Sequence, residues 1–208
     1  RLWACRFNAL SVEMEKTETR QGKCWLSSVE MLFGNYHKGS LMTPGAVQGG
    51  LANSSGKALE GTIKATMQSK GFAVIPFRKW EKDQGKYGSE LLLTNVPYET
   101  IYGHRGTTEF LIRSKRYNLE IRVECKWQQS SGSVDEKFPY VYLNCVEKMP
   151  EATIFIVVDG GGAKSGALIW LRKACASRLF LDGRDEAAKK IQVFTLMEFL
   201  VWANATLR

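Results

Sequence analysis

Apolar positions recur along this chain with two different periods, and each change of period marks a change of element. Leu59, Ile63 and Met67 stand at helical spacing, with Ser54 or Ser55 as a cap and Gly71 where a C-terminal glycine is expected. They predict a helix over residues 57–70. FAVIPF (72–77) reads as a short strand, and the polar stretch Arg78 to Ser89 as a surface loop. ELLLTNVPYETIYG supplies one or two strands, while TEFLIRS and LEIRVECKW alternate with period two and read as a hairpin. Ser133 and Glu136 form a capping box for a helix through about Lys148, with Pro139 in its first turns. TIFIVVD (153–159) is a continuous apolar run, as expected of a buried central strand. Beyond Gly160-Gly161-Gly162 come a helix near 165–176, a strand at IQVF and a closing helix at TLMEFLVWANA. The order of elements makes the chain α/β, a mixed sheet flanked by helices. Residues 1–50 read as an N-terminal extension that ends in a flexible join near Gly49-Gly50, and residues 51–208 as the domain.

The hairpin carries the chemistry. With a two-residue loop at Arg116-Tyr117, Phe110 faces Val123 and Ile112 faces Ile121, which gives a clean apolar side. On the other side Arg113 meets Glu120, a favourable pair, and Glu109 falls opposite Glu124. Directly opposed residues have Cβ atoms about 4.5–5.5 Å apart, where like charges are destabilising. A divalent cation between the two carboxylates removes that conflict. Alternation also places Glu124, Lys126 and Gln128 on one face, with Val123 and Cys125 on the other. The same pattern without a cation is an ordinary solvent-facing hairpin with alternating charges.

Charge and composition narrow the reading. The chain has 29 Lys+Arg against 21 Asp+Glu, a formal net charge of +8, which favours a polyanionic partner. Five scattered cysteines without a CxxC pair fit neither a zinc site nor a disulfide framework, and point to a reducing cytosol. His37 and His104 have no metal-ligand or triad neighbours, which argues against zinc and histidine-centred hydrolysis. No apolar run reaches membrane-spanning length, and RLWACRFNAL has no signal-peptide pattern. A first residue of Arg1 rather than Met suggests that the natural start is missing or unusual. DGGGAKSGALIWL resembles a phosphate-binding loop, but Ala163 stands where a Walker A motif needs glycine.

An acid early in one strand, about fifteen residues, then Glu-x-Lys late in the next resembles the PD-(D/E)XK nuclease superfamily and its restriction-endonuclease-like core. The likeness covers residues 53–160, in the αβββαβ order of that core. Glu60 in KALEGTIKATM stands where the family often has a further acid, and Gln128 in ECKWQQ where it sometimes has a glutamine after the motif lysine. The stretch SGSVDEKFPYVYLN also looks like the helix that follows the motif. One departure is that Thr108-Glu109 replaces the family's Pro-Asp. Glu99 in VPYET is an alternative first acid, and Glu109 is preferred because it falls opposite Glu124.

The resemblance implies a Mg²⁺-dependent endonuclease, with Mn²⁺ able to substitute, that cleaves DNA in the cytoplasm in restriction, defence or mobile-element biology. Glu109, Glu124, the Cys125 carbonyl and Glu60 would hold metal, and Lys126 and Gln128 would position water or phosphate. Lys137, Lys164, Arg113 and Arg122 are the expected DNA contacts. A homodimer is one arrangement the family uses. The alternative is a non-catalytic nucleic-acid-binding module on the same fold.

Overall fold

The computed structural model describes residues 44–128, 134–181 and 189–208, all within the compact unit Leu41–Arg208. Six strands form one sheet in the spatial order β1 (Ala73–Pro76), β2 (Glu90–Glu99), β3 (Arg105–Ser114), β4 (Leu119–Trp127), β5 (Thr153–Asp159) and β6 (Lys190–Phe194). β2, β3 and β4 are an antiparallel meander. β1 runs parallel to β2, and β5 and β6 run parallel to β4. Parallel neighbours need a crossover. α3 (Val134–Glu147) joins β4 to β5, and α4 (Ser165–Ala176) joins β5 to β6.

Alternation along the strands explains the layers. Phe110, Ile112, Ile121 and Val123 pack with Leu59, Ile63 and Met67 of α1 (Pro44–Ser69) and with Phe199 and Ala203 of α5 (Leu196–Thr206). Ile154, Ile156 and Val158 of β5 turn the other way, onto Phe138, Tyr142 and Cys145 of α3 and Leu171 of α4. β5 is therefore covered on both faces, which is why its sequence is unbroken in apolar residues.

The helix predicted over 57–70 is longer than expected. α1 begins at Pro44, a residue suited to a first helical position, and runs through Gly49-Gly50. The flexible join expected there is helical, although each interior glycine costs about 1 kcal/mol against alanine. The stretch read as a loop from Arg78 holds α2 (Phe77–Lys82) and a 3-10 turn at Gln84–Lys86. ELLLTNVPYE is a single strand. Ser133, the expected cap of α3, lies outside the described residues, as do residues 1–43.

Candidate active site

The register of the β3–β4 hairpin is the predicted one: Phe110 faces Val123, Ile112 faces Ile121 and Arg113 faces Glu120. The turn occupies Lys115 to Asn118, and Asn118 takes the left-handed conformation (φ 51°) that asparagine tolerates. The ladder ends at Phe110, one step before Glu109 and Glu124 would pair. On the other side, the β2–β3 ladder skips the level of Asn95 and Glu109, where Asn95 is also left-handed (φ 55°). Leu91, Leu93 and Val96 share one cluster across this break, so the strict odd–even alternation is reset there. Glu109 thus sits at the one level of β3 that neither neighbouring ladder holds.

Freed from the ladder, the Glu109 side chain takes over a backbone role. Its Oε2 accepts the Cys125 N–H at 2.7 Å, closing the gap between the parted strands. The same carboxylate lines a cleft of about 430 Å³ together with Lys57, Leu59, Glu60, Cys125 and Trp127. Glu124 and Lys126 project to the opposite face from Val123 and Cys125, toward α3. Glu124 Oε1 pairs with Lys126 Nζ, and Nζ also donates to the Cys125 carbonyl at 3.3 Å. The two acids therefore do not lie side by side on one face as expected. Glu109 occupies the gap in the sheet and meets the Glu124–Lys126 pair around the Cys125 peptide.

Glu109 and Lys126 both feel the Glu124 charge across that peptide. Burial pushes the Glu109 carboxyl up to about 7, and the Glu124 charge pushes the same way, with Lys126 and the Cys125 N–H opposing. Burial works against the Lys126 ammonium, but the carboxylates of Glu124 and Glu109 outweigh it and hold its pKa above the usual lysine range. Glu124 is 4% exposed, and its Oε2 is buried with no hydrogen-bond partner. A buried carboxylate oxygen left unpaired is costly. Two carboxylates and a peptide carbonyl are hard oxygen donors of the kind Mg²⁺ and Mn²⁺ take. The residues present fit a divalent cation.

The remaining expected residues are placed less uniformly. Glu60 shares the Glu109 cleft but is ion-paired with Lys64 at 3.2 Å. Among the described residues no group of three or more acidic, histidine or cysteine side chains is gathered as a metal cage, so Glu60 does not complete a triad with the other two. Gln128 is buried and donates from Nε2 to the Gly162 carbonyl at 3.3 Å. It ties the end of β4 to the glycine loop rather than facing outward. Gly160 (φ 104°) is needed there, because a Cβ would lie 2.3 Å from the Gln128 carbonyl oxygen. Lys137 and Lys164 are exposed near the N-terminal ends of α3 and α4, and the Lys164 N–H donates to Asp135 Oδ1 at 3.2 Å.

One expected DNA contact is corrected, that of Arg122. Arg122 is 2% exposed, pairs with Glu151 through Nε and Nη2, and donates from Nη1 to Thr108 Oγ1 at 3.0 Å. A guanidinium so enclosed does not reach a phosphate backbone. Arg113 bonds Glu120 at 3.2 Å and stacks 4.8 Å from the Trp80 ring. It lines a different cleft, of about 560 Å³, near the hairpin turn. Glu99, the alternative first acid, is exposed and paired with Lys148 at 3.2 Å.

Tyr98 was not anticipated. Its ring fills the space left by Gly106, its partner in the β2–β3 register, where a Cβ would lie 2.7 Å from Cζ. Burial pushes its phenol up to about 12, and the Glu124 charge adds to the shift. The bulky Tyr98 opposite a glycine was the available signal, and it needs the register to be seen.

No helix among the described residues is long and apolar enough to cross a membrane. Neither the curated proteins nor the solved structures yield a significant match. A family model described as a PD-(D/E)XK nuclease superfamily domain matches residues 51–207, three-quarters of the chain and every strand of the sheet. With the meander, the Glu-x-Lys run on β4 and the acid on β3 already in place, that match settles the family: the chain belongs to the PD-(D/E)XK nuclease superfamily.

Proposed function

We propose that this protein is a divalent-metal-dependent endonuclease that hydrolyses phosphodiester bonds of DNA, with residues 51–208 as its nuclease domain. The observation that carries the reading is the unsatisfied one: Glu124 Oε2 is buried without a partner, across the Cys125 peptide from a second carboxylate that burial pushes up to about 7. Glu109, Glu124 and the Cys125 carbonyl would hold Mg²⁺, or Mn²⁺ in its place. When bound, the cation supplies Lewis acidity and a water of lowered pKa.

Lys126 pairs with Glu124 and donates to the Cys125 carbonyl, which keeps a positive charge at the acid pair. Swung from Glu124 to a phosphate oxygen, it stabilises the charge that develops in the transition state. Glu109 would hold the cation as a carboxylate, kept aligned by the Cys125 N–H that its Oε2 accepts. Lys137 and Lys164, exposed at two helix N-terminal ends, would neutralise flanking phosphates.

Plasmid nicking with Mg²⁺, Mn²⁺ and EDTA tests the proposal. Cleavage with either metal and none with EDTA is expected. Lys126→Ala should abolish cleavage while DNA binding survives; a variant that cuts like the parent removes the assignment. DNA binding without nicking under any metal condition would favour the non-catalytic module instead.

A further inference from the structure

An aromatic surface leads away from the acid pair. Tyr102, in the β2–β3 turn, is 68% exposed, yet its ring is held parallel to Tyr140 of α3, with centroids 5.2 Å apart and planes 22° apart. Tyr98, on the strand that leads into this turn, packs against the Phe138, Val141 and Tyr142 cluster of α3, and its ring lies 5.8 Å from the guanidinium of Arg122, two residues before Glu124 on β4. Tyr98 and Tyr140 thus both belong to the α3 side of the sheet, the side to which Glu124 and Lys126 project.

The turn that carries Tyr102 is fixed with unusual care. The Thr100 N–H donates to the His104 carbonyl and the Gly103 N–H to the Thr100 carbonyl, both at 2.8 Å. Asn144, fully buried on α3, accepts the Ile101 N–H at 2.9 Å and donates to the Tyr140 carbonyl at 2.7 Å. One buried side chain thus locks both the turn and the helix that bear the stacked rings. An exposed ring already stacked on a second one leaves its outer aromatic face free for a further stacking partner. One turn earlier on α3, on the same side as Tyr140, lies the exposed Lys137.

We infer that Tyr102 and Tyr140 form a stacking platform for unpaired bases, so that the preferred substrate presents single-stranded DNA beside the scissile phosphate. The inference deepens the nuclease reading by naming a substrate class. Bases inside a duplex stack on one another and offer no free face to a protein ring, whereas an unpaired base can continue the Tyr140–Tyr102 stack outward. Lys137, exposed one turn from Tyr140 on α3, supplies positive charge of the kind a strand's phosphates require.

Binding is measured in EDTA on the whole chain, by fluorescence anisotropy of labelled oligothymidine of about 16 nucleotides, the upper range of comparable site sizes. A blunt duplex of equal length is the reference. The parent should bind the single strand more tightly than the duplex. Tyr102→Ala, at an exposed position that leaves the core intact, should weaken single-strand binding about tenfold, as loss of one stacked base implies. Duplex binding should stay unchanged, and Tyr102→Phe should bind like the parent. Equal binding by parent and Tyr102→Ala overturns the inference. So does absence of single-strand binding, a fall in Tyr102→Phe as deep as in Tyr102→Ala, or a parental dimer that Tyr102→Ala dissolves. Because these arms contain no metal and read no cleavage, they stand apart from the nicking assay, and each reading fails on its own data.

Discussion

Arg122 and Glu124 are two residues apart on β4, share a face and are both almost fully buried, yet their surroundings are opposite in kind. Around Arg122 every need is met: Glu151 takes Nε and Nη2, and Thr108 and the Val96 and Pro97 carbonyls take what remains. The group ties β2, β3 and β4 to the segment that leads into β5. One step along the strand, Glu124 has a single partner for two oxygens, and the Glu109 carboxyl nearby is pushed up to about 7. A fold able to satisfy a buried guanidinium completely has left two buried acids in conflict. That contrast separates a residue whose every donor the fold satisfies from two acids whose needs it leaves open.

The largest expected effect breaks the satisfied side. Arg122→Ala strands Glu151 as an uncompensated buried charge and should lower unfolding free energy by about 3–5 kcal/mol, read by urea denaturation. Replacing both partners with apolar residues of similar volume should recover most of that loss. If the single variant matches the parent in stability, Arg122 is not the anchor described here.

The next effect relieves the conflicted side. Glu109 has its folded pKa raised from 4.5 to about 7. Below pH 4.5 both folded and unfolded chains are protonated there, and the group contributes nothing. As pH rises, the unfolded chain loses its proton first, so stability falls until pH passes about 7 and is then level. In EDTA at pH 8, Glu109→Gln should therefore be more stable than the parent, by about 2–3 kcal/mol at the upper limit. At pH 4 the two should be alike. A variant less stable than the parent at pH 8 contradicts the stated electrostatics. Slightly smaller is the gain from a cation. Mg²⁺ or Mn²⁺ at a hundred times its dissociation constant should raise parental stability by about 2.7 kcal/mol. Glu124→Gln should lose most of that rise. An equal rise in both proteins would move the metal elsewhere.

How much of this was legible beforehand follows from where each signal resides. The hairpin register was readable because apolar residues alternate cleanly through Phe110, Ile112, Ile121 and Val123, and a slip of one would expose them all. The position of Glu109 was only half readable: sequence places it opposite Glu124, but not at a break in two ladders, since nothing in Asn95 or Thr108 announces that the strands part. Arg122 was misread as a DNA contact because its partner Glu151 is distant in sequence and joins it only through the β4–β5 crossover. α1 outran its expected start because interior glycines are weak helix breakers in a folded context. The Tyr102–Tyr140 stack was invisible, since it depends on a turn and a helix brought together by Asn144.

A third ion pair refines the contrast. Glu60 and Lys64 lie one helical turn apart on α1, at 3.2 Å, with side chains 33% and 36% exposed. Water and salt screen such a pair, so Glu60→Ala should cost only about 0.3–0.5 kcal/mol. That is the smallest change expected among the three ionic groups, and stability alone says nothing of a role in metal binding. The informative quantity is the stabilisation by Mn²⁺, measured as a shift in Tm. Glu60 opens onto the same cleft as Glu109, so an acid acting on the metal, directly or through water, should lose part of that shift when truncated. Glu60→Gln, which keeps the shape and removes the charge, should lose the same part. If both variants keep the full shift, the cation rests on Glu109, Glu124 and the Cys125 carbonyl without help from α1. The family resemblance at Glu60 would then extend to position but not to chemistry.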